Sequence, residues 1–195
     1  MDTPLLQVII GSTRPGRVGA SVADWFADAA RADGQFAIEV VDLAEVGLPL
    51  LDEPHHPRLQ QYTKEHTKRW SETIRRGDAF VFVIPEYNYS LNAATKNAID
   101  FLFHEWSNKA LGIVSYGGIS GGLRSAQVLK QVASSVRLIA GPDTVIIPWV
   151  ATLRDEQGVF HPTDHIVRAT TTLLADLRSL TDALASRRSA NEPAD

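Results

Sequence analysis

The sequence predicts an α/β domain in which a parallel sheet is covered by helices on both faces. Three observations predict it: five short apolar runs spread along the chain, amphipathic stretches with three- and four-residue spacing between them, and a third run, Asp78 to Ile84, that is apolar at nearly every position. Alternating strands and helices call for parallel pairing, and right-handed crossovers on either side of a switch point put helices on opposite faces. A strand apolar on both sides belongs in the middle of such a sheet. With 195 residues, 44% of them hydrophobic, the chain can build one well-buried core. A single domain over residues 1–185 is therefore expected.

Leu5 to Ile10 is the first strand, and Val18, Val22, Trp25, Phe26 and Ala29 stripe the first helix. Phe36 to Leu43 reads as the second strand. Pro49, Pro54 and Pro57 make Val46 to Arg58 a long loop. Leu59, Tyr62, His66, Trp70 and Ile74 mark a helix that Arg75-Arg76-Gly77 closes with a cationic last turn and a glycine stop. The third strand, Asp78 to Ile84, leads to a helix from Ala93 to Phe103. Leu111 to Tyr116 is the fourth strand, Leu123 to Val136 a helix, and Thr144 to Ile147 the fifth strand. Ile166, Ala169, Leu173, Leu177, Leu180 and Leu184 stripe a long final helix. The polar segment 186–195 is expected to fray as a disordered tail.

Composition narrows the function. A net charge of −4 argues against a general nucleic-acid or anionic-membrane surface. The absence of cysteine excludes disulfides, thiolate metal ligands and cysteine nucleophiles. No run approaches the roughly 18 apolar residues of a membrane span, and no charged segment leads into a long apolar core near the start. A cytoplasmic protein with small-molecule partners is expected.

The most informative stretch is Gly11-Ser12-Thr13-Arg14-Pro15-Gly16-Arg17, between the first strand and the first helix. Amides of a loop entering a helix N-terminus point outward unpaired, and the helix dipole adds partial positive charge. Ser12 and Thr13 add hydroxyl donors, while Arg14 and Arg17 add guanidinium forks that match a phosphate dianion. The loop is not a P-loop, because Arg17 and Val18 stand where Lys and Ser/Thr are required; nor is it a dinucleotide fingerprint, because the second glycine is missing.

Ligands of such sheets bind at the carboxyl ends of the strands. The third strand ends in Pro85-Glu86-Tyr87-Asn88-Tyr89-Ser90, with two rings, and the fourth in Ser115-Tyr116-Gly117-Gly118-Ile119-Ser120-Gly121-Gly122, with bare amides and space for something flat. Phosphate donors, a ring surface and glycine amides together suit flavin mononucleotide (FMN).

These motifs resemble the NADPH-dependent FMN reductase family of flavodoxin-like proteins: Gly11-Ser12-Thr13-Arg14 after the first strand, Pro85-Glu86-Tyr87-Asn88 after the third, Lys96-Asn97-Ala98-Ile99-Asp100 in the next helix, and the paired glycines after the fourth strand. The resemblance implies a flavodoxin-like three-layer sandwich with strand order 2-1-3-4-5, FMN as cofactor, and NADPH or NADH as electron donor. It also implies that Ser12, Arg14 and Arg17 hold the phosphate, that Pro85, Glu86, Tyr87 and Asn88 line the ribityl chain and ring, and that Ser115, Tyr116, Gly117 and Gly118 border them. Two positions depart from the family pattern: Arg17, where serine is common, and Asn92-Ala93, where proline-glycine is common. A homodimer or homotetramer is implied, with Leu48, Leu50 and Leu51 either contributing to the subunit boundary or tucked under their own sheet.

The implied activity passes hydride from nicotinamide through FMN to a small electron acceptor: a quinone, azo compound, metal oxyanion or free flavin. The protein then supplies no catalytic nucleophile or acid, only position and electrostatics. The alternative is a flavodoxin-type carrier serving protein partners; such carriers dock by strong acidity, which −4 does not provide. No metal site is expected, since His55, His56, His161 and His165 lack convincing ligand company. His66 reads as a packing residue on a helical stripe, and His104 as a minor site candidate.

Overall fold

Side chains alternate across each strand, and here both sides are apolar, so the strands are buried between two helical layers. A computed structural model describes residues 3–189. The elements are β1 (Leu5–Ile10), α1 (Gly19–Asp33), β2 (Ala37–Asp42), α2 (Leu43–Val46), α3 (Glu65–Arg76), β3 (Ala79–Pro85), α4 (Ala93–Asp100), β4 (Ala110–Tyr116), α5 (Leu123–Ser135), β5 (Ile139–Ala140), β6 (Val145–Ile147) and α6 (Asp164–Ser189), with 3₁₀ turns at Pro57–Leu59 and Val150–Leu153.

The sheet is parallel throughout, in the order β2-β1-β3-β4-β5, with β6 also on β4. This is the order the family resemblance implies. One core holds Leu6, Val8, Val81 and Val83 of the sheet against Val22 and Phe26 of α1 and Leu173 and Leu177 of α6. The other holds Ile9, Phe80 and Phe82 against Trp70 and Ile74 of α3, Ala98 of α4 and Leu129 of α5. Each large side chain removed from water contributes roughly 1.5–3 kcal/mol.

Several element boundaries differ from the sequence expectation. The expected fifth strand is β6, which pairs with Val114 to Tyr116, and a two-residue strand that the sequence did not show, β5, precedes it and pairs with Ala110 and Leu111. Gly141 N still donates to Leu111 O at 3.0 Å, and Pro142 then interrupts the ladder, since proline has no N–H to give it. Leu59 and Tyr62 precede α3 instead of lying on it, because the Glu53 carboxylate takes the amides of Thr63 (2.9 Å) and Lys64 (2.9 Å) and fixes the helix start there. The helix expected to reach Phe103 stops at Asp100. There the indoles of Trp70 and Trp106 donate to the carbonyls of Ala98 (2.9 Å) and Ile99 (3.2 Å). The short α2, within the expected strand and loop, is started by Asp42, whose side chain accepts from Ala44 N at 2.9 Å. α6 continues to Ser189, so the polar segment expected from 186 begins within a helix; 190–195 lie outside the described residues.

The proline-rich loop is held at several points. Asn97 donates to Pro49 O (2.7 Å) and accepts from Leu51 N (3.0 Å), His66 meets Asp52 at 2.8 Å, and Tyr62 donates to the buried Glu105 carboxylate at 3.1 Å. Leu48 packs on the core, while Leu50 is 81% exposed and Leu51 43%.

Candidate functional site

β1 pairs with both β2 and β3, so the crossovers leave it in opposite directions and open a crevice at its carboxyl end. The loop from Gly11 to Val18 lines that crevice. Arg14 to Arg17 form a turn closed by Arg17 N to Arg14 O (3.1 Å), with proline second and Gly16 third at φ 70°, the type II pattern. The turn leaves Arg14 exposed, and α1 begins at Val18 without a side-chain cap. Its first amides are thus free to meet an anion.

The loop is seated closely on its neighbours. Gly11 N donates to Val83 O at 3.0 Å, and Asn92 Nδ2 donates to Gly11 O at 2.6 Å. Thr95 Oγ1 donates to Asn92 Oδ1 at 2.8 Å and sits where it would be 2.4 Å from a β-carbon at position 11, so only glycine admits this approach. Sequence reasoning saw Asn92 only as a departure from the family pattern. The structure makes it the link between the loop after β1 and α4.

Ser12 is fully buried, and its hydroxyl makes no close hydrogen bond among the described residues; the buried phenol of Tyr116 makes none either, and the two hydroxyls face only each other. Both lie against Gly19 in the first turn of α1. Burial pushes the Tyr116 phenol up to about 12, so it keeps its proton at neutral pH. An unpaired buried hydroxyl costs about 1–3 kcal/mol. Ser12, with α1's uncapped amides and the exposed guanidinium of Arg14, thus suits a phosphate monoester.

Arg17 is placed differently. Its guanidinium is ion-paired with Asp42 at the end of β2, and the same carboxylate caps α2. The expected second phosphate contact is therefore engaged elsewhere.

Pro85 is buried at the end of β3, opposite Tyr116. Glu86 turns away from the open crevice toward α5. Its carboxylate accepts from Ser120 Oγ (2.9 Å), Arg124 N (3.0 Å) and Arg124 Nη1 (2.8 Å), so it caps the N-terminus of α5 from another loop. Burial raises the Glu86 carboxyl, but the bonds from Arg124 and Ser120 outweigh it and hold the group below the usual range. Tyr87 and Ser90 exchange two backbone bonds of 3.0 Å around Asn88 (φ 50°) and Tyr89 (φ 69°), and the Arg124 guanidinium lies 4.2 Å over the Tyr89 ring. Tyr87 and Asn88 remain exposed at the mouth.

Ser115 is also committed to the protein, donating to Gly121 O at 3.1 Å. Gly121 and Gly122 serve the loop's own packing: both have positive φ, and β-carbons there would lie 2.4 Å from Ile146 and 2.6 Å from the Tyr116 backbone. Gly118 is the open one, with nothing within 4 Å of a β-carbon built on it. Trp149, 57% exposed, donates its backbone N–H to Gly118 O at 3.0 Å and stands beside that opening. The accessible surface thus consists of Arg14, Tyr87, Asn88, Gly117 and Gly118, held from behind by Asn92, Glu86 and Arg124.

The histidines stay outside this surface. His66 bridges to Asp52 and meets the edge of Phe101 at 5.7 Å, His104 donates to Arg58 O at 3.0 Å, and His161 pairs with Asp155 at 2.7 Å. Among the described residues no three metal-ligating side chains come together.

The model of the NADPH-dependent FMN reductase family matches residues 4–151. An NAD(P)H-dependent FMN reductase of Schizosaccharomyces pombe is 42% identical over 164 residues, covering 82% of this chain and 80% of that protein. A quinone reductase of Pseudomonas putida is 32% identical over 130 residues, 64% of this chain and 66% of that protein. Among solved structures, FerB, a flavoenzyme NAD(P)H:(acceptor) oxidoreductase of Paracoccus denitrificans, superposes with a TM-score of 0.66 over 94% of this chain and 98% of its own, at 23% identity.

Proposed function

Because the chain belongs to the NADPH-dependent FMN reductase family, an enzyme family, we propose that it oxidises NADPH or NADH through bound FMN and passes the electrons to small acceptors, quinones foremost. The observation that carries the reading is the buried Ser12 hydroxyl, which faces only the Tyr116 phenol among the described residues, in the same loop as the exposed Arg14. Membership of a family of enzymes sets aside the electron-carrier alternative. The quinone reductase among the relatives supports that class of acceptor.

FMN, when bound, accepts hydride from the nicotinamide and returns electrons to an acceptor. The chain's residues supply position and field. Ser12, Arg14 and the first amides of α1 hold the phosphate, with Arg17 held back by Asp42. Tyr87, Asn88, Gly117 and Gly118 border the ring. Glu86, whose charge would oppose negative charge building up beside it, is neutralised by Arg124 and spent on the α5 N-terminus. The opening at Gly118 leaves one face for nicotinamide and acceptor to occupy in turn.

The assembly we propose is a cytoplasmic homodimer or homotetramer. The exposed Leu50, Leu51 and Leu59 of the proline-rich loop support subunit contact. No helix among the described residues is long and apolar enough to cross a membrane. Steady-state turnover of NADPH with a small quinone and no protein partner tests the proposal. Parallel double-reciprocal lines are expected from alternating occupancy, and a requirement for a second protein would overturn it.

A further inference from the structure

At the amino end of the sheet, opposite the cofactor crevice, a groove of about 580 Å³ lies between α5, the start of β5 and α6. Three cations from three segments line it: Lys130 of α5, Arg137 of the following turn and Arg187 of α6. None of the three forms an ion pair with a carboxylate among the described residues. Lys130 spends one proton on Pro142 O at 2.9 Å and keeps two. The floor is apolar, formed by Leu138, Ile139 and Ala140, with Ile139 38% exposed.

Cations at helix C-termini complement the helix dipole, and Arg187 near the end of α6 is accounted for in that way. Arg137 is not. It holds φ 58° in a turn where Leu138 N returns to Ala133 O (3.0 Å) and its own carbonyl accepts from Asn108 N (2.9 Å), a left-handed position that glycine fills without strain. An arginine kept in a strained conformation with its charge unpaired points to a use for the charge. Lys130, five residues before the end of α5, lies too far back to serve that helix's last carbonyls.

We propose that this groove binds an organic phosphate: a dianionic head between Arg137, Arg187 and Lys130, with a flat apolar body on Ile139 and Ala140. Guanidinium forks match phosphoryl oxygens, and a groove of this size suits a small molecule. The site is separate from the phosphate loop, since the seven residues of β4 place it roughly 20 Å away.

The test is calorimetric titration of the FMN-loaded protein, in which the phosphate loop is already filled, with 1-naphthyl phosphate. Saturable binding is expected, with inorganic phosphate competing more weakly because it lacks the apolar body. Arg137→Gly should weaken binding at least 10-fold while leaving FMN affinity unchanged and raising the melting temperature, since glycine relieves the strained turn. Arg187→Gln, on an exposed helix face, should weaken it comparably, with only a slight fall in melting temperature from the lost helix-dipole contact. Absence of saturable binding to the wild type, or wild-type affinity in either variant, would overturn the site.

Discussion

The Asn92 amide donates to the Gly11 carbonyl at 2.6 Å, joining the loop after β1 to the start of α4 across 81 residues of sequence. Both partners are buried, and Thr95 holds the other end of the Asn92 side chain. The loop's shape is therefore set by α4 as well as by β1. Asn92→Ala should destabilise the protein by about 1–3 kcal/mol, the cost of a buried carbonyl left unpaired. It should also weaken FMN by roughly 10-fold, because the donors of the loop are no longer held together. Thermal melts with and without FMN check both.

The two loop arginines should separate. Arg14→Ala should weaken FMN by roughly 10- to 100-fold, the loss of a charge-assisted hydrogen bond of about 1.5–3 kcal/mol. Arg17→Ala should cost less, because its guanidinium already belongs to Asp42. Asp42→Asn should tighten FMN by a few-fold, since it removes a negative charge near the loop and releases Arg17. Quenching of flavin fluorescence on titration with apo-protein gives all three constants.

How much of this was legible in the sequence depended on whether the signal was local. The alternating strands and helices and the loops after β1, β3 and β4 follow from residues close in sequence, and the structure has them near where the patterns put them, in the strand order that the family resemblance implies. What escaped were pairings across long separations. Arg17 reads as a phosphate ligand until Asp42, 25 residues on, is brought beside it. Glu86 and Ser115 lie in the right loops but are spent on Arg124 and Gly121. Leu59 and Tyr62 have helical spacing, yet Glu53 starts the helix after them. Arg124, which both neutralises Glu86 and covers Tyr89, gave no sign beyond its place near a helix start.

Stability should carry an acid limb from Glu53. Burial raises its carboxyl, but bonds from the Thr63 and Lys64 amides outweigh that and lower it from 4.5 to about 2. A group depressed in the folded state stabilises above its unfolded value and loses that contribution as pH falls through the folded one. Glu53→Gln should therefore lower the melting temperature at pH 7 by about 2–4 °C, the effect of a helix cap of about 1 kcal/mol. The gap from the wild type should shrink as pH falls from 4.5 toward 2, which melts across that range will show.

Removing the Glu86 clamp should act on function more than on folding. Arg124→Gln leaves the Glu86 carboxylate, behind the crevice, without its counter-charge. The bound FMN should then be harder to reduce, with a more negative midpoint potential, while its affinity changes little because the phosphate loop is untouched. Equilibrium redox titration against dye standards checks the shift.

We propose that this crevice lets nicotinamide reach the flavin ring directly. Its most direct test is anaerobic stopped-flow mixing of FMN-loaded protein with NADPH, and separately NADH, with no acceptor and no second protein. Saturable bleaching of the flavin's visible absorbance within seconds is expected with at least one of the two. Visible absorbance unchanged after minutes with both would contradict it.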